Sequence, residues 1–152
     1  MEEKIKKVIV DTYTLIAIVY DEVGSGARKI LEEIRKRIVK GIVPNTVAYE
    51  YTVHWLKGRI PALKNIDEVK TYLREYFNVI NLDFEDYIKA AEIKVRGDEL
   101  LKKAKIEELR RRRLSIVDST IIALALREKL PILTGDKDLR YVAGKMGVKT
   151  IW

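Results

Sequence analysis

The sequence predicts an α/β fold, a three-layer α/β/α sandwich with a central parallel sheet. Three observations lead there. Short apolar runs alternate with helix-patterned segments from end to end. The runs are apolar at consecutive positions, as strands buried on both faces require. No repeat, low-complexity tract or Pro/Gly/Ser-rich linker divides the 152 residues, so one domain spanning positions 1–152 is expected.

Ile5 to Val10, with Val8-Ile9-Val10 as its apolar centre, reads as a buried strand ending at Asp11. Leu15 to Val19 continue as a helix capped by Asp11 or Thr12. Gly24-Ser25-Gly26 is a turn, and Ser25 is the expected cap of a helix carrying Ile30, Leu31, Ile34 and Ile38. Gly41 to Pro44 is a second strand, with a helix from Asn45 or Thr46 to Lys57. Beyond the breaks at Gly58 and Pro61, Asp67 to Tyr76 is helical and Phe77 to Asn81 is a strand. Asp83 to Arg96 is a helix, followed by a very basic stretch to Arg113. Ser115 opens an apolar helix, Pro131 to Thr134 is a strand, Asp136 to Lys145 a helix, and Val148 to Ile151 the last strand.

Composition excludes much chemistry. Cysteine is absent, which removes disulfides, thiolate zinc sites, iron–sulfur clusters and cysteine nucleophiles. His54 is the only histidine, so a pair of cooperating histidines is impossible. Acid–base and metal-binding work therefore falls mainly to 23 carboxylates. No apolar stretch is long enough for a bilayer span, and Met1-Glu2-Glu3-Lys4 lacks the apolar core of a signal peptide, so a cytoplasmic address is expected. The net charge of +7 favours a polyanionic partner without proving one. Glutamine is also absent, and with abundant Lys, Arg and Glu this is a hyperthermophile-like composition.

In a parallel sheet, sites form beyond the carboxyl ends of the strands, where strand order reverses. Asp11 ends the first strand, Asp136 follows the fourth by a Thr134-Gly135 step, and Asp118 and Glu50 lie early in helices that leave other strands. Each also reads as a structural residue. Asp11 and Asp136 suit helix caps worth ~1 kcal/mol each. Ser115-Ile116-Val117-Asp118 reads as a capping box, and Glu50 could pair with His54 one turn later. Jointly these readings weaken, since caps of unrelated helices need not point at one place. Carboxylates that converge repel one another unless a cation holds them. Oxygen ligands without His or Cys select Mg²⁺ or Mn²⁺.

Val10-Asp11-Thr12, Glu50, Ser115-Ile116-Val117-Asp118 and Leu133-Thr134-Gly135-Asp136-Lys137-Asp138-Leu139, in this order over essentially the whole chain, resemble a PIN domain. The resemblance implies an acidic quartet of Asp11, Glu50, Asp118 and Asp136, with Asp138 a frequent additional acid and Thr12, Ser115 and Thr134 in support. It implies Mg²⁺ or Mn²⁺ held by Asp11, Asp118 and Asp136, with Glu50 a ligand through water or a group orienting the nucleophile. It further implies hydrolysis of RNA phosphodiesters, a homodimer, and a cognate antitoxin if the chain is a toxin of the VapC type. The alternatives are a housekeeping nuclease of RNA processing or ribosomal RNA maturation, and a non-catalytic RNA-binding or scaffold module.

Lys94 to Arg113 carries nine basic and four acidic residues. Arg110, Arg111, Arg112 and Arg113 are candidate RNA contacts, although a solvated face explains the run equally well. Gly24-Ser25-Gly26 lacks the third glycine of a dinucleotide loop, and no GxxxxGK[ST] phosphate loop exists. Tyr49, Tyr51, Trp55, Tyr72, Tyr76 and Phe77 fit core or interface packing better than base stacking. His54, one turn after Glu50 on the same helix side, is a residue that can approach the cleft, but it is read first as a packed or paired side chain and not as a catalyst.

Overall fold

Val8, Ile9 and Val10 have no exposed surface in the computed structural model, which describes residues 4–152; the reading of Met1-Glu2-Glu3 lies outside the described residues. Their strand, β1 (Lys7–Val10), sits at the middle of the sheet. It is joined by β2 (Lys40–Pro44), β3 (Asn78–Ile80), β4 (Ile132–Leu133) and β5 (Thr150–Ile151). All pairings are parallel, in the order β3-β2-β1-β4-β5. The chain builds outward from β1 through β2 and β3, then returns to the other side of β1 with β4. The switch point between β1 and β4 is therefore where a crevice is expected.

The connections are helical: α1 (Thr12–Val19), α2 (Ser25–Arg35), α3 (Asn45–Leu56), α4 (Ile66–Tyr76), α5 (Phe84–Lys102), α6 (Glu107–Arg110), α7 (Ile116–Glu128) and α8 (Lys137–Lys145). These eight helices, counted over the described residues, flank the sheet and complete the predicted α/β/α arrangement. None of them is long and apolar enough to cross a membrane. The apolar stripe of α7 explains its place: Ile121, Ile122, Leu124 and Ala125 are fully or almost fully buried. Arg127 on the same helix holds the buried carboxylate of Asp86 on α5 at 2.8 Å.

Several expectations change in detail. Four of the strands are shorter than the runs that marked them, whereas β2 begins one residue earlier, at Lys40. Ser25 does not cap α2; Gly24 occupies the cap position with no side-chain bond, and Ser25 is the first helical residue. Helix α5 does not stop near Arg96 but continues through Gly97 to Lys102. Glycine there normally weakens a helix. Here a Cβ would lie 2.7 Å from Leu114 and 3.2 Å from Val142, so tertiary packing uses the missing side chain and carries the helix onward. The basic stretch also contains α6, which apolar periodicity could not reveal in four residues. Tyr51 and Phe77 are buried and Tyr72 is half-buried; Tyr72 lies 5.9 Å from each by ring centroid.

Candidate functional site

Register brings the first two acids together. Val10 pairs with Leu133, so the next residues, Asp11 and Thr134, lie side by side at the carboxyl edge. Asp11 caps α1 by accepting from the Thr14 N–H at 2.8 Å through Oδ1, and the Thr134 hydroxyl donates to its Oδ2. The same Thr134 oxygen accepts from the Asp136 N–H at 3.0 Å. One buried hydroxyl thus ties two acidic loops. Asp136 in turn caps α8, its Oδ1 accepting from Asp138 N–H at 2.9 Å and Leu139 N–H at 3.2 Å. Thr134→Val is expected to cost about 1–3 kcal/mol in a denaturant titration, because Asp11 Oδ2 and the Asp136 N–H both lose their partner.

Asp118 enters from α7. Ser115 accepts from the Asp118 N–H at 3.0 Å, which forms the first half of a capping box. The reciprocal bond, present between Asp86 and Asp83 on α5, does not form here among the described residues. The Asp118 carboxylate therefore does not return to the backbone of its own cap, although the Ser115 side chain still acts on it. Glu50 lies on α3, and a 2.8 Å hydrogen bond between Thr46 and Thr120 locks that helix against α7. Thr46 precedes Glu50 by one turn and Thr120 follows Asp118 by two residues, so this contact keeps the two acids on facing elements.

The electrostatics record the convergence. Burial pushes Asp11 up from 3.8 to about 7, opposed by its Thr134 and Thr14 hydrogen bonds and reinforced by Asp136. Asp118 lies well above the ordinary carboxylate range, through burial first and then the charges of Asp136, Asp11 and Glu50. Asp138 is raised by burial and by Asp136, against the pull of Arg112 at 3.5 Å. Among the described residues no three His, Asp or Glu side chains are gathered into a finished metal-holding group. Asp136, Asp11 and Glu50 all act on Asp118 by charge, which places the four acids near one another, with Glu50 and Asp136 lining the cleft itself. Thr12 adds a buried hydroxyl with no hydrogen-bond partner. An all-oxygen donor set, crowded anions and an orphaned hydroxyl fit a hard divalent cation.

Thr12, Tyr13, Ile16, Ala17, Glu22, Glu50, His54 and Asp136 line a cleft of about 280 Å³. A larger depression of about 850 Å³ lies at the opposite, amino-terminal edge of the sheet, lined by lysines and apolar residues without a carboxylate. The acids, rather than size, mark the smaller cleft as the site. Glu22 and His54 are additions to the sequence-based set. Glu22 follows α1 in a loop and carries no strand-end signal.

The arginine run divides. Arg110 donates to the Ala104 and Lys105 carbonyls, and Arg111 pairs with Glu107 at 2.6 Å. Arg112 reaches Asp138 beside the acidic cleft, while Asp98, against the effect of burial, is held below the usual carboxylate range chiefly by Lys94 and the Leu114 N–H, with Arg113 a lesser contributor.

Trp152 is the other residue that the sequence did not mark. β5 pairs with β4 and delivers the indole onto Gly135, between Thr134 and Asp136. The ring also meets Tyr13 edge-to-face at 5.4 Å, next to Asp11 and Thr12. A Cβ at Gly135 would lie 2.7 Å from two indole carbons. Gly135→Ala is expected to destabilise the protein by about 1–3 kcal/mol, read as a lower denaturation midpoint. Trp152→Ala in the same background should recover part of the loss.

A family model described as PIN domain matches residues 8–145. Among solved structures, the chain is similar to Mycobacterium tuberculosis VapC20, a Sarcin-Ricin loop cleaving toxin, at 18% identity and a TM-score of 0.60, over 87% of this chain and 92% of that one. It is similar to Rickettsia felis VapBC2, solved bound to a DNA fragment from its promoter, at 14% identity and 0.60, over 95% and 96%. A Pyrobaculum aerophilum protein aligns at 17% identity and 0.57, over 96% and 89%. At these identities the likeness is one of fold. No curated protein matches in sequence.

Proposed function

Because the chain belongs to the PIN domain family, we propose that it is a divalent-metal-dependent endoribonuclease and the toxin of a toxin–antitoxin pair. The observation that supports this reading is the charge coupling of Asp118 with Asp136, Asp11 and Glu50, beside the β1/β4 edge that carries Asp11. Asp11, Asp118 and Asp136 would hold Mg²⁺ or Mn²⁺, with Glu50 contributing directly or through water. When bound, such an ion polarises a phosphodiester and lowers the pKa of a water molecule.

The chain's own residues prepare that chemistry. Thr134 fixes the Asp11 carboxylate and the Asp136 loop with one hydroxyl. Thr12 offers a free hydroxyl to an ion, a water or a phosphate oxygen. Asp138, held by Arg112, adds negative potential at the rim. Glu50, on a separate helix and lining the cleft, would accept a hydrogen bond from a water bound there.

A single domain over residues 1–152, a cytoplasmic location and a homodimer belong to the same proposal. Exposed Tyr49 and Leu56 on α3 support self-association. The toxin neighbours motivate the antitoxin partner. The test is incubation of the purified chain with single-stranded RNA in Mg²⁺, Mn²⁺ or EDTA. Internal cleavage in either metal and none in EDTA is expected; cleavage that persists in EDTA would overturn the metal-dependent reading. Expression should arrest growth if the toxin role holds, and unimpaired growth with demonstrated nuclease activity would favour RNA processing instead.

A further inference from the structure

The acidic cleft is hostile to the polyanion it is proposed to cleave. Glu22, Glu50 and Asp136 line it, and His54 alone among its lining residues carries a side-chain nitrogen donor. His54 stands one turn beyond Glu50 on α3. Its Nδ1 lies 2.7 Å from Arg59 Nη1.

Elementary chemistry then fixes the imidazole proton. A guanidinium has donors only and keeps its charge at any ordinary pH, so Arg59 donates and His54 Nδ1 accepts. The ring is neutral, and its single N–H is at Nε2, on the side away from Arg59. Burial of the ring, Arg59 and Lys57 all act against a second proton, with Glu50 opposing them.

Arg59 is itself held. Its backbone N–H donates to the His54 carbonyl at 3.1 Å, and its carbonyl accepts from the hydroxyl of Tyr20, the residue that caps the end of α1, at 3.1 Å. The turn after α3 is thereby pinned to the far end of α1, the helix that Asp11 caps. A neutral donor backed by a permanent cation, at the edge of an anionic cleft, suits an acceptor that is itself anionic.

We infer that His54 and Arg59 form a phosphate-binding subsite that holds a non-scissile backbone phosphate of single-stranded RNA beside the acidic cleft. His54 Nε2–H donates to a phosphate oxygen, and Arg59 supplies the charge and sets the tautomer. The pair positions substrate and takes no part in bond breaking. This rests on the nuclease reading for its substrate class, but it is tested by binding, so the two can fail separately.

The tautomer comes first. As the sole histidine, His54 gives one imidazole ¹⁵N pattern. At pH 7.5 an unprotonated Nδ1 and a protonated Nε2 are expected; the reverse tautomer would overturn the inference. Binding of a single-stranded oligoribonucleotide in EDTA is then followed through a salt titration. Arg59→Gln should weaken binding and reduce the slope of log affinity against log salt by about 0.7, the value for one phosphate contact on a single strand. His54→Phe should weaken binding about tenfold, as loss of one hydrogen bond to a charged group does. His54→Gln, which restores a donor near Nε2, should recover most of it. If the wild type cleaves RNA in metal, the losses should fall on KM rather than kcat. Unchanged affinity and slope in Arg59→Gln, or a His54→Gln no better than His54→Phe, would overturn the subsite. Arg59 is exposed at the surface, so its variant does not depend on core packing. Wild-type binding without metal-dependent cleavage would overturn the nuclease reading and leave the subsite standing.

Discussion

Asp11→Asn is expected to abolish metal-dependent RNA cleavage while leaving the fold intact. Partners one shell removed from a metal typically cost 10–100-fold when lost, so a direct ligand should cost at least about 10²-fold in rate. The fold should survive because asparagine keeps the side-chain shape and an acceptor for the Thr14 N–H that starts α1. Far-ultraviolet circular dichroism and a denaturant midpoint establish folding, and a cleavage time course in Mg²⁺ or Mn²⁺ measures the loss. A folded variant with wild-type activity would remove Asp11 from the site and, with it, the proposed arrangement.

A second large effect concerns pH and metal together. The Asp11 carboxyl of the folded, metal-free chain titrates at about 7, against about 3.9 for an aspartate in an unfolded chain. Between about pH 4 and 7 the folded state therefore holds a proton that the unfolded state has lost. The stability this group contributes is fully present below about pH 4, falls as pH rises, and is lost above about pH 7. Asp118 shifts in the same direction and adds to the slope. The expected loss from pH 5 to pH 8 in EDTA is on the order of a few kcal/mol, read from guanidinium midpoints. A divalent ion binds the deprotonated carboxylates, so Mn²⁺ should raise the midpoint more at pH 8 than at pH 5. Asp11→Asn should flatten the EDTA profile, which separates this group from the general effect of net charge. A wild-type profile in EDTA as flat as that of Asp11→Asn would mean that Asp11 is ionised throughout.

Nearly all the architecture was legible because β1, β2 and β4 are short, continuous and apolar, and because each is followed by a capping or helix-starting residue. Asp11 and Asp136 were legible for the same reason: a polar residue at the end of a buried run has few other places to go. Glu50 and Asp118 could be named from their order along the chain, but not brought together. That required the Thr46–Thr120 contact between α3 and α7, and a cap on α7 that lacks its reciprocal bond from Asp118. The basic stretch misled in one respect. Helix α5 runs through Gly97 because Leu114 and Val142 fill the space beside it, a compensation that lies in neither neighbour along the chain.

The sequence by itself determined the parallel α/β layering, the all-oxygen character of any metal site and the acids that could build it. Hydrophobic periodicity and residue chemistry are local properties, and a chain without cysteine and with one histidine leaves few ligands to choose from. Only the tertiary structure decided that β1 and β4 are neighbours, that one Thr134 hydroxyl joins two acidic loops, and that Trp152 fills the space Gly135 leaves open. It also decided that Arg59, five residues away across a turn, meets His54 Nδ1. These are contacts whose energy depends on distance in space rather than separation in sequence. No pattern of residue types along the chain encodes which two loops will share a hydroxyl.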